Sequence, residues 1–324
     1  MYNLIIDYSI LIDFFLNKPK DIIEGGEVQD HDYWNSFYSF LKFGSNIEVI
    51  NYQEGSSPLK ILELLTSGRK DSFIKLNSNF KKPHKSKFVI NNLYTLYFLN
   101  EEDEKEIIKY RKNNVCVFAF KYDYPKVWES LSLINQKTSF PVRKETKLGI
   151  KKWGDFERYL INISDVILID NFILDNEIIE YNVVKIIELI KNSKVENQNV
   201  TIISYQGDKF KSPLNKRVEK LKDLLKLKNI DCNLKVIFTQ VKSKEHDRQL
   251  IFNNFRIKSG DSFNFFNSKG DIISKGTEVD ILPLVDLNNL INTSVILDKI
   301  KKIELSLPRE NIFGSCKNRF IEYD

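Results

Sequence analysis

Residues 246–266 read HDRQLIFNNFRIKSGDSFNFF. Two runs of β-branched and aromatic residues meet at Asn253 and Asn254, and asparagine is favoured in tight bends because it tolerates a left-handed backbone. The stretch therefore predicts two consecutive strands, 246–253 and 255–258, with a bend between them.

Side chains alternate between the two faces of a strand, so His246 and Arg248 are expected on one face with their Cβ atoms about 7 Å apart. Asp247 is expected on the opposite face. A histidine nucleophile and an arginine that binds phosphate would then share one surface. This is the pairing that phosphodiester chemistry at histidine requires, and no other motif in the chain is as specific.

Upstream of this stretch, apolar strand-like runs alternate with segments of helical period. Downstream, further strands follow without helices between them until a final helix, so the second half predicts βα units followed by a β-meander. The predicted strands are 166–170, 200–205, 234–240, Phe263–Phe266 and 278–284, and the predicted helices are Trp153–Leu160, 178–192, 213–227 and 286–301.

The first half shows the same alternation, so the predicted fold class is α/β with an N-terminal α/β domain ahead of the second one. A stretch with little apolar periodicity, 131–151, suggests a domain boundary near residue 145. We therefore expect an N-terminal domain of unknown role at 1–145 and a second domain at 146–324. The predicted strands of the first half are 3–6, 47–52, 87–92 and 115–120, and the predicted helices are 35–43, 57–66 and 101–113.

Composition sets limits on the class of protein. The chain has 324 residues, 42% of them apolar and 29% charged, which is typical of a folded globular protein of about two domains. Its three cysteines, Cys116, Cys232 and Cys316, are far apart without a CxxC, which argues against a cysteine-rich zinc site or a disulfide framework. Asp7 and Asp13 interrupt the apolar start, and no stretch is long enough to span a membrane. A cytoplasmic location is expected.

Positive charge is concentrated around the opening stretch. Residues 201–258 contain 14 Lys and Arg against 6 Asp and Glu, whereas the whole chain has a net charge of +5. A basic surface beside a phosphate-binding residue favours a polyanionic partner such as nucleic acid or anionic lipid. The alternative is that the lysines between 216 and 228 are the solvated face of a helix.

The order His246-x-Arg248-x-x-x-x-Asn253, followed by Gly260, resembles the HxKxxxxD motif of the phospholipase D superfamily. The local string is more similar to the HDR-containing strand pair in the phospholipase D-like C-terminal domains of MIT (microtubule-interacting and trafficking) proteins and of bacterial relatives. The resemblance covers about residues 160–324. It implies a phospholipase D-like domain there, and nothing comparable is found for the first 145 residues.

The resemblance implies transfer through a phosphohistidine, with His246 as nucleophile and Arg248 holding the phosphate oxygens, without a metal or a cofactor. It further implies a nucleic-acid partner, nuclease activity and a role in bacterial antiviral defence. Arginine in place of the motif's lysine retains phosphate binding, because its guanidinium is permanently charged and bidentate. Phosphate binding is expected from Arg248, Asn253, Asn254 and Lys258.

Two departures from the motif weaken the expectation of catalysis. Asn253 stands at the acidic position and cannot carry the charge of an aspartate. Strand parity turns it away from the His246 and Arg248 face unless a bulge intervenes, so its role would be mainly structural and this departure is the lesser of the two. Enzymes of this superfamily use two histidine motifs, whereas His31 and His84 do not lie in such motifs. Catalysis would therefore require a homodimer or a different second acid; otherwise the site binds phosphate without cleaving it, or His246 is only a surface histidine in a salt link.

Further cleft candidates are Asp170 and Asn171, which end a predicted strand at the edge where α/β sheets bind ligands, although helix capping or a turn would also explain them. Lys317, Asn318 and Arg319 form a polar cluster that would close over an anion or lie in a solvated tail. The sequence Ile5-Ile6-Asp7 also resembles Leu168-Ile169-Asp170, which raises the possibility of a duplicated architecture.

Two other functions stay open at this level. As an alternative to a nucleic-acid-binding domain or nuclease, the second domain is a non-enzymatic module that binds anionic lipid or a protein partner, alone or in a hetero-complex. Asp7 and Asp13 resemble the acidic openings of PIN-type metal nucleases.

Phenylalanines near the opening stretch would either stack bases or pack in the core; they are Phe252, Phe255, Phe263, Phe265 and Phe266.

Overall fold

The structure is a computed structural model. It describes residues 2–20, 28–52, 59–68, 74–77, 94–100, 105, 108, 117–119, 133, 137–143, 149–160, 163–174, 178–191, 198–207, 213–240, 248–274 and 277–321. The chain divides into two compact units. The first unit is Met1–Gln136 with Pro283–Leu290, and the second is Lys137–Leu282 with Ile291–Asp324.

The first unit contains a five-stranded parallel sheet in the order β3-β2-β1-β4-β5. Its central strand buries Tyr2, Leu4 and Ile6 completely, as expected for a strand with neighbours on both sides. The elements are β1 (Tyr2–Asp7), α1 (Tyr8–Leu16), α2 (Val28–Ser39), β2 (Ser45–Ile50), α3 (Leu59–Thr66), β3 (Ile74–Asn77), β4 (Thr95–Leu99) and β5 (Val117–Ala119).

The second unit is built on an eight-stranded mixed sheet in the order β13-β9-β8-β7-β10-β11-β12-β6. Its strands are β6 (Thr138–Pro141), β7 (Asp165–Ile169), β8 (Asn199–Tyr205), β9 (Asn233–Thr239), β10 (Arg248–Phe252), β11 (Phe255–Ser259), β12 (Glu278–Pro283) and β13 (Ile312–Gly314). The helices are α4 (Val183–Lys191), α5 (Leu214–Leu227) and α6 (Leu287–Ser306), with short 3-10 helices at Trp153–Tyr159 and Arg309–Asn311. The division into units assigns the start of α6, up to Leu290, to the first unit.

The strands β7, β8 and β9 are parallel, whereas β10 and β11 are antiparallel to their neighbours. Every residue of β7 is buried, and α4 packs its apolar side chains, Val183 and Ile187 among them, into the core. Continuous apolar strands of this kind are typical of parallel sheets that are covered on both faces. The predicted α/β class is confirmed, as are the βα units and the meander that follows them.

The segment Phe263–Phe266 is not the strand that its aromatic content predicted. Among the residues that the structure describes, the β-type pairing of this segment is limited to an isolated bridge between Phe266 and Ile272. Its rings are buried, and Phe265 stacks on Trp153 with the ring centroids 5.3 Å apart. Phe252 and Phe255 are also buried, so these five phenylalanines pack in the core and are not available to stack bases.

Candidate functional site

Four strands bring polar side chains to one edge of the second sheet. The parallel strands β7, β8 and β9 all end at this edge, and the antiparallel β10 begins there. Gln249 pairs with Ile169, and the same register extended by one residue sets Arg248 opposite Asp170. We call this the carboxyl edge; it is where ligands bind in open α/β sheets.

Arg248 is half-buried at the carboxyl edge. Its Nη1 donates to the carbonyl oxygen of Gly260 at 3.4 Å, and its Cζ lies 5.9 Å from the centroid of the Phe172 ring. A guanidinium over an aromatic face is attracted by the ring's quadrupole. The loop after β11 and the turn after β7 therefore support the arginine from two sides.

Asp170 is 1% exposed and accepts three hydrogen bonds. Its Oδ1 accepts from the Phe172 amide at 2.9 Å. Its Oδ2 accepts from Ser262 Oγ at 2.8 Å and from the Phe263 amide at 2.7 Å. Burial raises the pKa of Asp170 above its ordinary value, against the opposing effects of these hydrogen bonds and of the positive charge on Arg248.

Two more of the predicted residues lie near Arg248. Asn171 is buried, and its carbonyl oxygen accepts from Ser204 Oγ at 3.2 Å, which ties the end of β7 to β8. Lys258 lies on β11 and is half-buried, in register with Gln249 of β10. His246 and Asp247 lie outside the described residues, so their expected faces stay predictions.

Asn253 and Asn254 lie at the other end of β10, about 17 Å along the strand from Arg248 at the usual rise per residue. Both are buried. Asn253 Oδ1 accepts from the Ser164 amide at 3.1 Å, and its Nδ2 donates to Ser164 Oγ at 2.9 Å. These contacts fix the turn between β10 and β11 against the start of β7.

The tail residues also lie at that opposite edge. Arg319 forms an ion pair with Asp165, the first residue of β7. Asn318 is fully buried and donates from Nδ2 to the carbonyl oxygen of Val166 at 2.9 Å, while Lys317 is exposed. The structure thus brings Arg248, Asp170 and Asn171 together and holds the tail cluster elsewhere in the sheet.

Sequence reasoning did not identify four residues of the carboxyl edge. Phe172 and Ser262 contact Arg248 and Asp170 as described above, and Asn264 Nδ2 donates to the carbonyl oxygen of Phe172 at 2.9 Å. Arg217, a buried residue of α5, donates from Nη2 to the carbonyl oxygen of Gln206 at 3.2 Å. The only local signal was a turn-forming Gly-Asp-Ser run ahead of Phe263.

A cavity of about 680 Å³ lies at the amino end of β9, lined by Lys222, Lys226 and Cys232 among other residues. Burial, with the nearby charge of Asp231, raises the pKa of the Cys232 thiol to about 11, so the thiol stays protonated at neutral pH. The cavity belongs to a different part of the sheet from Arg248.

The PIN-like arrangement of the first unit does not form among the described residues. Asp7 is buried and accepts from Asn51 Nδ2 at 2.6 Å and from Ser9 Oγ at 2.7 Å. Asp13 is exposed on α1. Within the described ranges, no three His, Cys, Asp or Glu side chains cluster closely enough to hold a metal ion. No helix in these ranges has the length and apolar character needed to cross a bilayer.

Residues 155–280 match the family model described as "Phospholipase D-like domain at C-terminus of MIT". The second unit contains a phospholipase D-like domain. The matched residues include β7 through β11 and the whole of the Arg248 and Asp170 arrangement. The resemblance of the opening motif to this family is therefore confirmed over this range.

Among solved structures, the chain is similar to "Crystal Structure of Polyphosphate Kinase from Porphyromonas Gingivalis", with a TM-score of 0.36 and 10% sequence identity. This similarity covers 79% of the present chain and 36% of that chain, so it spans about a third of the kinase. No curated protein matches the sequence.

Proposed function

We propose that the phospholipase D-like domain binds the phosphate backbone of nucleic acid at the carboxyl edge, with Arg248 as the main contact. The observation that carries this proposal is the position of Arg248, half-buried over Phe172 at the ligand-binding edge of the sheet. The planar guanidinium of an arginine matches two phosphate oxygens at once, so an arginine at this edge suits a phosphate group. Binding through the backbone alone would be largely independent of base sequence.

The charges near Arg248 favour a polyanion. Helix α5 begins at the carboxyl edge, and its first turns expose Lys216 and Lys220. Part of the positive charge counted in the sequence is committed inside the unit, since Lys228 pairs with Glu180 at 3.4 Å and Lys235 pairs with Glu304 at 2.9 Å. The positive charge left for a partner is therefore smaller than the sequence count. It includes Lys216 and Lys220.

A second candidate function is metal-independent cleavage at the same site, favoured by His246 two positions ahead of Arg248 within the matched family range. In this reaction a ring nitrogen of His246 attacks phosphorus and the bond to the leaving oxygen breaks. That oxygen takes a proton from a second acid. Water, which gives a proton to the conjugate base of that acid, then attacks the phosphohistidine, breaks its P–N bond and releases a strand that ends in a phosphomonoester. A homodimer would supply the second acid from the other copy. A role in bacterial antiviral defence belongs to the same proposal.

Fluorescence anisotropy with a labelled single-stranded oligonucleotide tests the binding proposal. We expect Arg248→Ala to weaken binding and to reduce the slope of log Kd against log salt by roughly one, as for the loss of one phosphate contact. Lys317→Ala is the matched control, because this lysine is exposed at the opposite edge and should leave Kd unchanged. An unchanged Kd for Arg248→Ala would overturn the proposal.

Two further measurements separate the alternatives. Vesicles containing phosphatidylserine that bind the wild type, lose binding to Arg248→Ala and outcompete the oligonucleotide would favour the lipid module. Cleavage of labelled DNA or RNA in the presence of EDTA that disappears in His246→Ala would support the nuclease. Light scattering gives the oligomeric state, and a strict monomer that cleaves would exclude the dimeric mechanism.

A further inference from the structure

Asp170 joins the two segments that support Arg248. Its Oδ1 holds the amide of Phe172, whose ring lies beneath the guanidinium. Its Oδ2 holds Ser262 and Phe263 in the loop that also supplies the carbonyl oxygen of Gly260 to Arg248. One buried carboxylate therefore fixes both sides of the arginine's environment.

We infer that Asp170 is a positioning residue, which orients the guanidinium of Arg248 for a phosphate by holding Phe172 and the Gly260–Phe263 loop in place. The inference rests on the proposed function, because it assigns Asp170 to the same phosphate-binding site. Asp170 itself is too deeply buried to contact a ligand, being 1% exposed.

In the turn after β7, both the backbone amide and the backbone carbonyl of Phe172 are hydrogen-bonded. The Phe172 amide donates to Asp170, and the Phe172 carbonyl oxygen accepts from Asn264 Nδ2 at 2.9 Å. Asn264 lies in the same loop as Ser262 and Phe263, so the loop that follows Gly260 is hydrogen-bonded to both Asp170 and Phe172. A guanidinium between two fixed supports loses less rotamer freedom when it binds an anion.

The geometry requires a carboxylate at this position. Oδ1 and Oδ2 both accept from backbone amides, of Phe172 and Phe263 respectively. An asparagine has one amide nitrogen, which donates and cannot accept. In Asp170→Asn, one of the two backbone amides would face another donor in a buried place, so one support of Arg248 is lost while the volume of the side chain is unchanged.

Asp165 provides a matched control on the same strand. It is fully buried at the other end of β7 and accepts from Arg319, Ser164 and Asn199. Asp165→Asn therefore disturbs a buried, multiply bonded aspartate of the same sheet without touching the supports of Arg248. A general loss of stability would appear in both variants, whereas loss of positioning appears only in Asp170→Asn.

The test measures the order of the guanidinium directly, by the Nε–Hε signal of Arg248 in nitrogen–proton NMR spectra, assigned by its disappearance in Arg248→Lys. We expect a dispersed signal with a high heteronuclear NOE in the wild type and in Asp165→Asn. In Asp170→Asn the signal should move toward the position of a free arginine and its NOE should fall. Ser262→Ala removes one of the three hydrogen bonds to Asp170, so it is expected to change the Arg248 signal in the same direction but less. It is the test variant if Asp170→Asn does not fold.

Oligonucleotide binding supplies the second readout. Asp170→Asn is expected to raise Kd about tenfold, as for a lost buried hydrogen bond, and the effect should vanish in an Arg248→Ala background. An unchanged Arg248 signal in Asp170→Asn, or an equal change in Asp165→Asn, would overturn the inference. If Arg248 becomes disordered in Asp170→Asn but Arg248→Ala binds the oligonucleotide normally, the positioning of Arg248 stands and the proposed function fails.

Discussion

Arg319 reaches the first residue of β7 and forms an ion pair with Asp165. Its backbone amide donates to Asp165 Oδ1 at 3.0 Å, and its Nε donates to Oδ2 at 2.7 Å. The Asp165 side chain is fully buried and the Arg319 side chain is 14% exposed. Arg319, together with Asn318, therefore stabilises the amino end of the central strand of the second sheet.

Removing the arginine should be costly. In Arg319→Ala the Asp165 carboxylate stays buried without its cation, which is expected to lower the free energy of unfolding by about 3–5 kcal/mol. Urea denaturation followed by circular dichroism measures this change. The exposed neighbour Lys317→Ala is the control and should stay within about 0.5 kcal/mol of the wild type. A loss below about 1 kcal/mol in Arg319→Ala would show that the ion pair adds little to stability.

Asn253 is expected to matter for stability and not for phosphate binding. Asn253→Ala leaves the Ser164 amide without its side-chain acceptor in a buried place, which should cost about 1–3 kcal/mol on unfolding. Oligonucleotide Kd, measured where both proteins are folded, should equal that of the wild type. A weakened Kd at unchanged stability would instead support the phosphate-binding role that the motif position predicted.

Two glycines with nearly the same backbone angle allow a comparison of strain with crowding. Gly314 has φ +77° and Gly270 has φ +76°. A Cβ at Gly314 would press against the carbonyl oxygen of Leu234, whereas a Cβ at Gly270 would meet nothing within 4 Å. Gly270→Ala should therefore cost only the left-handed conformation, about 1–2 kcal/mol.

Gly314→Ala must in addition move β13 away from β9, because the carbonyl oxygen belongs to the backbone and has little room to shift. We expect its cost to exceed that of Gly270→Ala by about 1–3 kcal/mol. Thermal unfolding of the two variants side by side measures the difference. Equal costs would mean that the edge strand is displaced without penalty.

The raised pKa of Asp170 should be visible in the pH dependence of the unfolding free energy. Burial raises its pKa above the ordinary 3.8, so the folded protein binds this proton more tightly than the unfolded chain does. The stability linked to that proton is fully present below the ordinary pKa and is lost as pH rises through the raised one.

Asparagine does not titrate. The contributions of the other titratable groups therefore cancel when the unfolding free energies of the wild type and Asp170→Asn are compared at the same pH. The difference in unfolding free energy should shift in favour of the wild type as pH falls from neutral to roughly 4. Urea denaturation at several pH values measures it. A difference that is independent of pH, or that shifts toward the variant on acidification, would contradict the raised pKa.

Local patterns predicted much of the second unit correctly. The apolar runs of β7, β8 and β9 and the amphipathic period of α5 are visible in the sequence because burial acts on neighbouring residues. The bend at Asn253 and Asn254 was predicted by turn chemistry in the same way. In the first half, the predicted strand 87–92 lies outside the described residues, as does most of the predicted helix 101–113.

Features that depend on distant residues were not predicted. Strand β6 was missed, and its Ser139 bonds to Asp280, 141 positions later. The sequence suggested a turn or cleft role for Asp170, but no local signal shows that its second oxygen reaches Ser262, 92 positions away. The tail residues were predicted either to close over an anion or to be solvated, and neither alternative showed that Arg319 meets Asp165 across 154 positions.

The strand order of the second sheet determines which fragment of the chain would keep the sheet intact. Its two outermost strands, β13 and β6, both lie outside residues 155–280, the range of the family match. A fragment cut to that range would leave β9 without its outer neighbour and would cut β12 (Glu278–Pro283) at its middle. Backbone groups exposed at such edges pair with other chains and promote aggregation. The compact unit that contains this sheet is therefore longer at both ends than the range of the family match.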